Sequence, residues 1–185
     1  MVKFACPLWA IFLPAVVLTA CCDLPTYNPG FWNDGITYPT SACTTVQCKN
    51  NCYNYGNNKK TMTFAQPGRA SGITLAWPSD MNCTAVTSAA VSDGVLELPA
   101  SGVCPDKQDK IAMVVAPSYD YHWYRQDSGG MWTHKPGKTE ATNLDNASNP
   151  ITNPETASRG PYTQFCGYFC SCSDDQEGKG HETIN

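Results

Sequence analysis

The segment DYHWYRQDSGGMWTHKPG, residues 120–137, carries the clearest structural signal in this chain of 185 residues. Two runs rich in aromatic side chains, 121–126 and 131–134, flank a polar loop that contains Gly129 and Gly130. Aromatic runs on either side of a four-residue loop with glycine predict a β-hairpin.

The sequence around this hairpin predicts further strands and a helix. The apolar run 111–116 has the length and composition of a buried strand, and 162–168 is expected to supply a last strand. On the N-terminal side, a helix is expected over about 79–91, with Ser79 or Asp80 as its N-cap. Helices therefore precede strands along the chain.

A shorter helix is expected over about 50–60. Asn50 or Asn51 suits its N-cap, which places Cys52 in the first turn. After this helix, the sequence FAQPG at 64–68 predicts a type II turn, because proline followed by glycine fits the two central positions.

Residues 1–20 have the pattern of a secretory signal. Lys3 precedes an apolar run that prolines interrupt and that is too short to span a bilayer comfortably. The sequence Leu-Thr-Ala-Cys ending at Cys21 also matches a bacterial lipobox, so the alternative is a lipid anchor on Cys21 at the cell envelope. The expected divisions are a signal at 1–20, an N-terminal arm at 21–42, one domain at 43–172 and a disordered tail at 173–185.

Charge and motifs narrow the class of partner. The formal net charge of −4 becomes −5 when Lys3 leaves with the signal. A mildly acidic chain with no basic cluster argues against nucleic acid, and membrane attachment is expected only through a lipid on Cys21. Two sequons, Asn82-Cys83-Thr84 and Asn146-Ala147-Ser148, would be glycosylated only in a eukaryotic secretory pathway.

The eleven cysteines indicate an oxidising compartment and a disulfide framework. If Cys6 leaves with the signal and Cys21 is lipidated, nine remain, enough for four bridges and one free thiol; otherwise ten remain and all could pair. Each bridge is expected to stabilise the fold by about 2–4 kcal/mol. The group Cys166, Cys170 and Cys172 lacks the paired spacing of zinc modules, so neither a metal nor a cofactor is expected.

Cys52 is the candidate nucleophile, because a helix N-terminus or a neighbouring imidazolium lowers the pKa of a thiol. His122 and His134 are separated by an even number of positions, so both are expected on one face of the hairpin. His122 would be the general base and His134 would orient its ring. The competing interpretation pairs Cys52 with Cys43 or Cys104 in a bridge and leaves the histidines in an aromatic cluster.

The order of these features resembles the papain fold, and most closely its permuted NlpC-like and CHAP-like amidase branches. The resemblance implies an α+β, papain-like (NlpC-like) domain in which short N-terminal helices pack on a small antiparallel sheet, stapled by disulfides. It also implies Cys52 as the nucleophile, His122 as the base and His134 as the orienting group. The chain departs from the pattern around Cys52, where Asn-Cys-Tyr-Asn-Tyr replaces the Asp-Cys-Ser-Gly of cell-wall amidases, and in its bulky aromatic hairpin.

Two assignments stay open within this site. His134 would be the base if Asn143 or Asp145 orients it. The oxyanion would be stabilised by the backbone N–H of Cys52 together with a side-chain amide. The amides close to Cys52 in sequence belong to Gln47, Asn50 and Asn51.

The leading hypothesis is a secreted thiol hydrolase that cleaves an amide or peptide bond through an acyl-enzyme. His122 would take the proton of Cys52 and return one to the leaving amine, on a peptide or cell-wall-type amide substrate. The alternative is a catalytically inactive, disulfide-stabilised secreted binding or effector domain whose aromatic hairpin is a contact surface. A third option is transfer of the acyl group to an amine or an alcohol.

Overall fold

The computed structural model describes residues 24–34, 43–99, 101–104, 108–171 and 184–185. The predicted signal at 1–20, the lipid-anchor site Cys21, the cysteine Cys172 and nearly all of the predicted tail lie outside these ranges. Within them, no helix has the length and apolar character needed to cross a membrane.

The described chain forms an α+β fold around one five-stranded antiparallel sheet, which confirms the predicted class. The sheet has the order β1-β5-β2-β3-β4. In chain order the helices are α1 Val46–Lys49, α2 Cys52–Gly56 and α3 Cys83–Ser92, with single 3-10 turns at Pro29–Phe31 and Arg69–Ser71. The strands are β1 Leu96–Glu97, β2 Asp109–Ala116, β3 Asp120–Gln126, β4 Trp132–His134 and β5 Gln164–Ser171.

The predicted hairpin is formed by β3 and β4. Tyr124 pairs with His134, and on the other side of β3 His122 pairs with Val114 of β2. The loop closes through a hydrogen bond from the Gly130 N–H to the Asp127 carbonyl at 2.7 Å. Gly130 has a φ of +81°, a conformation that glycine adopts at little cost.

The sheet has two covered faces, which separate its side chains by parity. We call the side against α2 and α3 the helical face, and the side covered by the segment 141–163 the loop face. The buried side chains of the helical face include Cys52, Tyr53, Val86, Ile111, Met113, Val115, Tyr121, Trp123 and Phe169. Those of the loop face include Ala112, Val114, Tyr124, Trp132 and Ile151.

Local sequence explains where the two longer helices begin. The Asn51 side chain accepts hydrogen bonds from the backbone N–H groups of Tyr53 and Asn54. In turn, the Asn54 side chain accepts a hydrogen bond from the Asn51 N–H, which completes a capping box. The helix expected from about residue 79 begins instead at Cys83, with Asn82 as its N-cap. The residues before it form a turn in which the Asp80 carboxylate accepts from the Ala76 N–H at 2.7 Å.

The predicted type II turn is also present. The Arg69 N–H donates to the Gln66 carbonyl at 3.1 Å, and Gly68 has a φ of +82°. A Cβ on Gly68 would come within 2.8 Å of the Ile73 Cβ, so glycine meets both the backbone and the packing requirement.

Three disulfides join described residues, which confirms the stapled framework. Cys83–Cys166 ties α3 to β5, Cys104–Cys170 ties the loop after β1 to the same strand, and Cys43–Cys48 closes the short segment that leads into α1. The part of the N-terminal arm at 24–34 packs on the domain. Its Pro25 carbonyl accepts from the Ser128 N–H of the hairpin loop at 2.8 Å, and Trp32 contacts the Tyr55 ring.

Candidate functional site

Cys52 is the one described cysteine that is not in a disulfide, and it is buried. It is the first residue of α2, only 6% exposed, and packs in the core of the helical face. Burial raises the pKa of the Cys52 thiol to about 12, with a smaller contribution in the same direction from the negative charge of Asp120. The Lys135 ammonium opposes this shift without overcoming it. An activated thiolate requires the opposite shift.

His122 and His134 are in contact, and both are buried, at 3% and 4% exposure. The Nε2 of His122 lies 2.8 Å from the Nδ1 of His134, and the Nε2 of His134 lies 2.9 Å from the Leu144 carbonyl oxygen. A carbonyl only accepts, so the Nε2 of His134 must carry a proton. In the neutral pair, His134 Nδ1 is then the acceptor and His122 Nε2 the donor.

The surroundings of this pair favour the uncharged rings. Burial lowers the pKa of His122 well below its ordinary value, and the charge of His134 lowers it further. Burial also lowers the pKa of His134, against the opposing effects of the Leu144 carbonyl and the Asp145 carboxylate. Tyr124 stacks on His134 at 5.0 Å between ring centroids and meets His122 edge-on at the same distance. The arrangement is a stacked, hydrogen-bonded aromatic cluster.

The sheet separates the histidine pair from Cys52. His122 alternates with Tyr121 and Trp123 along β3, and these two neighbours pack with Cys52 on the helical face. His122 therefore faces the loop side with Tyr124, and no hydrogen bond among the described residues joins the Cys52 sulfur to either imidazole. The structure brings His122 to His134 and does not bring Cys52 to them. The catalytic role of these three residues stays a prediction.

The open alternatives for this site have other partners. The Asp145 carboxylate accepts from the backbone N–H groups of Ala147, Asn149 and Ser158, while His134 directs its outer nitrogen to the Leu144 carbonyl instead. The Asn143 carbonyl accepts from the Ile151 N–H. The amides of the expected oxyanion donors bind backbone carbonyls: Asn51 that of Ala65, Asn50 that of Val46 and Gln47 that of Lys138.

Lys135 is a buried residue to which the sequence analysis gave no role. Its side chain is fully buried and its Nζ donates to the carbonyls of Gln47, Asn50 and Gly137, the last two at 2.6 and 2.7 Å. Burial lowers the pKa of Lys135 to about 8. Lys135 thus joins the end of β4 to the loop before α2. Lys135 is two positions from Thr133, which contacts Tyr55 of α2, and this even spacing could have indicated that Lys135 also faces α2.

A second buried charge, Arg125, also joins the hairpin to α2. It forms an ion pair with Asp127 at 2.9 Å and donates to the Tyr55 carbonyl at 3.2 Å. Thr133 donates to the other oxygen of the Asp127 carboxylate at 2.8 Å. Burial raises the pKa of Asp127 although Arg125 and Thr133 oppose the shift. Both charges are satisfied inside the protein, so the network is structural.

The aromatic side chains of the hairpin do not form the expected contact surface. Tyr121, Trp123, Tyr124 and Trp132 are all buried in the two cores. The most exposed large hydrophobic side chain in the described ranges is Val103, followed by Trp77, which is 68% exposed and donates from its indole N–H to the Tyr119 carbonyl at 2.9 Å. A cavity of about 270 Å³ opens beside Trp77; its lining includes Gln66, Arg69, Leu75, Met81, Asp120 and Tyr121.

Within the described residues, no group of three or more His, Cys, Asp or Glu side chains is arranged to hold a metal ion. The acidic residue beside the cavity, Asp120, accepts instead from the Tyr162 hydroxyl at 2.8 Å.

Comparison with known proteins gives one informative relative. The chain is 48% identical over 126 residues to "Insoluble matrix shell protein 1" of Ruditapes philippinarum, a match that covers 67% of this chain and 80% of the relative. No protein-family model matches the chain, and no solved structure matches it.

These findings correct the resemblance drawn from the sequence. The relative is a matrix protein of shell, not a papain-like hydrolase, so the assignment to the papain-like family is wrong. The α+β class, the small antiparallel sheet and the disulfides are present, whereas no solved structure supports the papain-like part of the prediction. Here the cysteine packs in a core and the histidines in an aromatic cluster, so their order along the chain did not identify the family.

Proposed function

We propose that this chain, which belongs to the family of insoluble matrix shell protein 1, is a secreted, disulfide-stabilised structural protein of an insoluble extracellular matrix, with no catalysis of its own. The observation that carries the proposal is 48% identity across 80% of the length of the relative. Identity at this level over most of the relative's length supports a common fold.

The described disulfides support an extracellular location. All three lie within the described fold, and disulfides persist in an oxidising compartment. Secretion is the part of the predicted localisation that the relative supports. The alternative, a lipid on Cys21, has no support from a relative in a mollusc shell, since the lipobox is a bacterial signal.

The two sets of residues expected to carry chemistry also fit a structural protein. Cys52 fills a core position with a pKa raised to about 12, and the histidine pair is closed by the Leu144 carbonyl and the Tyr124 ring. Each group is satisfied by its neighbours, as expected for residues that stabilise a fold. The amide substrate expected from the sequence stays a prediction, and it depended on the corrected resemblance.

The proposal is tested by fractionating the tissue and matrix of the organism that makes the chain. Soluble matrix proteins are washed out, and peptides from the described domain are then quantified by mass spectrometry in the wash, the insoluble residue and the cell extract. We expect the peptides to be enriched in the insoluble residue. Peptides confined to the cell extract would overturn the proposal.

A parallel assay tests the absence of catalysis. Native protein and a Cys52→Ser variant are incubated with peptide and cell-wall amide substrates, and released amine is measured. We expect both proteins to match the buffer blank. Amide cleavage by the native protein that disappears in Cys52→Ser would restore the hydrolase hypothesis.

A further inference from the structure

The two N-glycosylation sequons have different structural environments. Asn82 is half-buried and caps α3, where its side-chain oxygen accepts from the Ala85 N–H at 3.0 Å and its amide nitrogen donates to the Ser79 carbonyl at 3.1 Å. The middle residue of this sequon, Cys83, is bonded to Cys166 of β5. A sugar on the Asn82 nitrogen would have to fit between this cap and the disulfide.

Asn146 lies in an exposed turn instead, and so do Ala147 and Ser148. Its backbone is fixed: its N–H donates to the Ser158 carbonyl at 3.0 Å, and the preceding carboxylate of Asp145 accepts from the Ala147 N–H at 2.9 Å. The Asn146 side chain makes no hydrogen bond to any residue in the part of the chain that the structure describes. The acceptor amide is therefore held at the surface on a rigid turn.

Gly160 packs against this amide. A Cβ at Gly160 would lie 2.6 Å from the Asn146 Nδ2, closer than any side chain tolerates, and the φ of +58° at Gly160 also suits glycine. The amide nitrogen thus packs directly against Gly160, a residue without a side chain fourteen positions further along the chain.

We propose that Asn146 carries an N-linked glycan and that Asn82 does not. The proposal rests on the proposed function, because only a chain that enters a eukaryotic secretory pathway meets the donor, a lipid-diphosphate oligosaccharide. In the transfer, the Asn146 Nδ2 forms a bond to the anomeric carbon of the sugar. The bond from that carbon to the diphosphate oxygen breaks, and one amide proton is lost.

The position of the glycan follows from the fold. The sequon lies in the 141–163 segment that covers the loop face, two residues after the Leu144 carbonyl that His134 contacts. A glycan there is bulky and solubilising, and it projects from the side opposite to α2 and α3. It would leave the cavity beside Trp77 uncovered.

The test expresses the full chain in insect cells and recovers it from medium and cells separately. Peptides that contain Asn82 and Asn146 are analysed by mass spectrometry before and after treatment with peptide N-glycosidase F, which converts a glycosylated asparagine to aspartate. We expect the conversion at Asn146 in the secreted protein and not at Asn82. Secreted protein with an unmodified Asn146, or with a modified Asn82, overturns the proposal.

Matched variants assign the signal to the sequon. Ser148→Ala leaves Asn146 in place but removes the hydroxyl that the motif requires, and Thr84→Ala does the same for Asn82. The gel shift on deglycosylation should disappear in Ser148→Ala and persist in Thr84→Ala. Asn146→Gln provides a second loss-of-site variant if Ser148→Ala is not secreted.

The compartment in which the protein is found distinguishes a failure of the glycan proposal from a failure of the proposed function. Protein that reaches the medium without the glycan contradicts the Asn146 site alone and leaves secretion intact. Protein that stays unmodified in the cytosol contradicts secretion, and with it both proposals.

Discussion

Cys52 is the residue on which the structural and the catalytic interpretations differ most, and its reactivity is measurable. We expect native protein exposed to iodoacetamide at pH 8 to leave this thiol unlabelled. The pKa of Cys52 is raised from 9.0 to about 12, so the thiolate fraction at that pH falls by about 1000-fold relative to an ordinary thiol. Burial adds to the effect, because the reagent reaches a side chain that is 6% exposed only when the core opens.

The assay compares native protein with protein unfolded in urea without reductant, so that the disulfides stay closed. Labelling is followed over time by mass spectrometry of the peptide that contains Cys52. The unfolded sample is the control, since its thiol has an ordinary pKa and full access. Native labelling within about tenfold of the unfolded rate would refute the reasoning and show a reactive thiol.

The same raised pKa predicts how stability depends on pH. Above pH 9 the unfolded chain loses the Cys52 proton while the folded chain keeps it, so the free energy of unfolding falls as pH rises. The slope is about 1.4 kcal/mol per pH unit, or about 4 kcal/mol in all over the three units of the shift. Lys135 contributes the opposite slope between about pH 8 and 10.5, so the comparison is with Cys52→Ala, which keeps Lys135.

Three further predictions concern buried polar groups. Lys135→Met should lower the free energy of unfolding by about 3 kcal/mol in urea titrations, because three carbonyls lose their donor. The control Lys138→Met, at an exposed position, should change this free energy by less than about 0.5 kcal/mol. Equal changes in the two variants would contradict the prediction. Acidification below pH 6.5 should lower the free energy of unfolding through both His122 and His134, since the unfolded chain binds protons that burial denies the folded one, and His122→Gln should show a shallower slope than native protein. Asn51→Ala should cost about 1–3 kcal/mol by removing the cap of α2 and the hydrogen bond to the next loop, whereas unchanged thermal unfolding would show that the cap is dispensable.

Buried charge connects these predictions to the fold. Lys135 and Arg125 each reach from the hairpin to the backbone around α2, so two short helices that could not persist alone are held by side chains of the sheet. These contacts hold α2 in place against the sheet. Charges that are fully hydrogen-bonded inside the molecule, together with disulfides, provide such rigidity.

Several elements follow from short-range sequence. The hairpin at 121–134, the strand near 111–116 and the turn at Gly68 were predictable because alternation, loop glycines and Pro-Gly pairs act over a few residues. The N-cap of α2 was predictable for the same reason, although Asn50 and Asn51 competed for it. The start of α3 was placed early because Ser79 and Asp80 are good caps that the structure uses in a preceding turn.

The relation between distant elements was not predictable. The even spacing of His122 and His134 places them on one face of the hairpin, and their rings are in contact there. The spacing does not indicate which face of the sheet α2 covers. That choice depends on the packing of α2 against β3, where the Tyr53 ring contacts Trp123, and short-range sequence patterns do not determine it. Because α2 covers the opposite face, the sulfur and the rings that look like a catalytic pair in sequence are separated by the sheet.

The sequence alone therefore determined the local conformations, the extracellular chemistry of the cysteines and the pairing of the two imidazoles. Only the tertiary structure decided that Cys52 is a core residue with a raised pKa, that Lys135 is buried, and that Asn146 rather than Asn82 presents a free amide. The physical reason is that a side chain's conformation depends on its neighbours in sequence, whereas its pKa and its accessibility depend on what the fold packs around it.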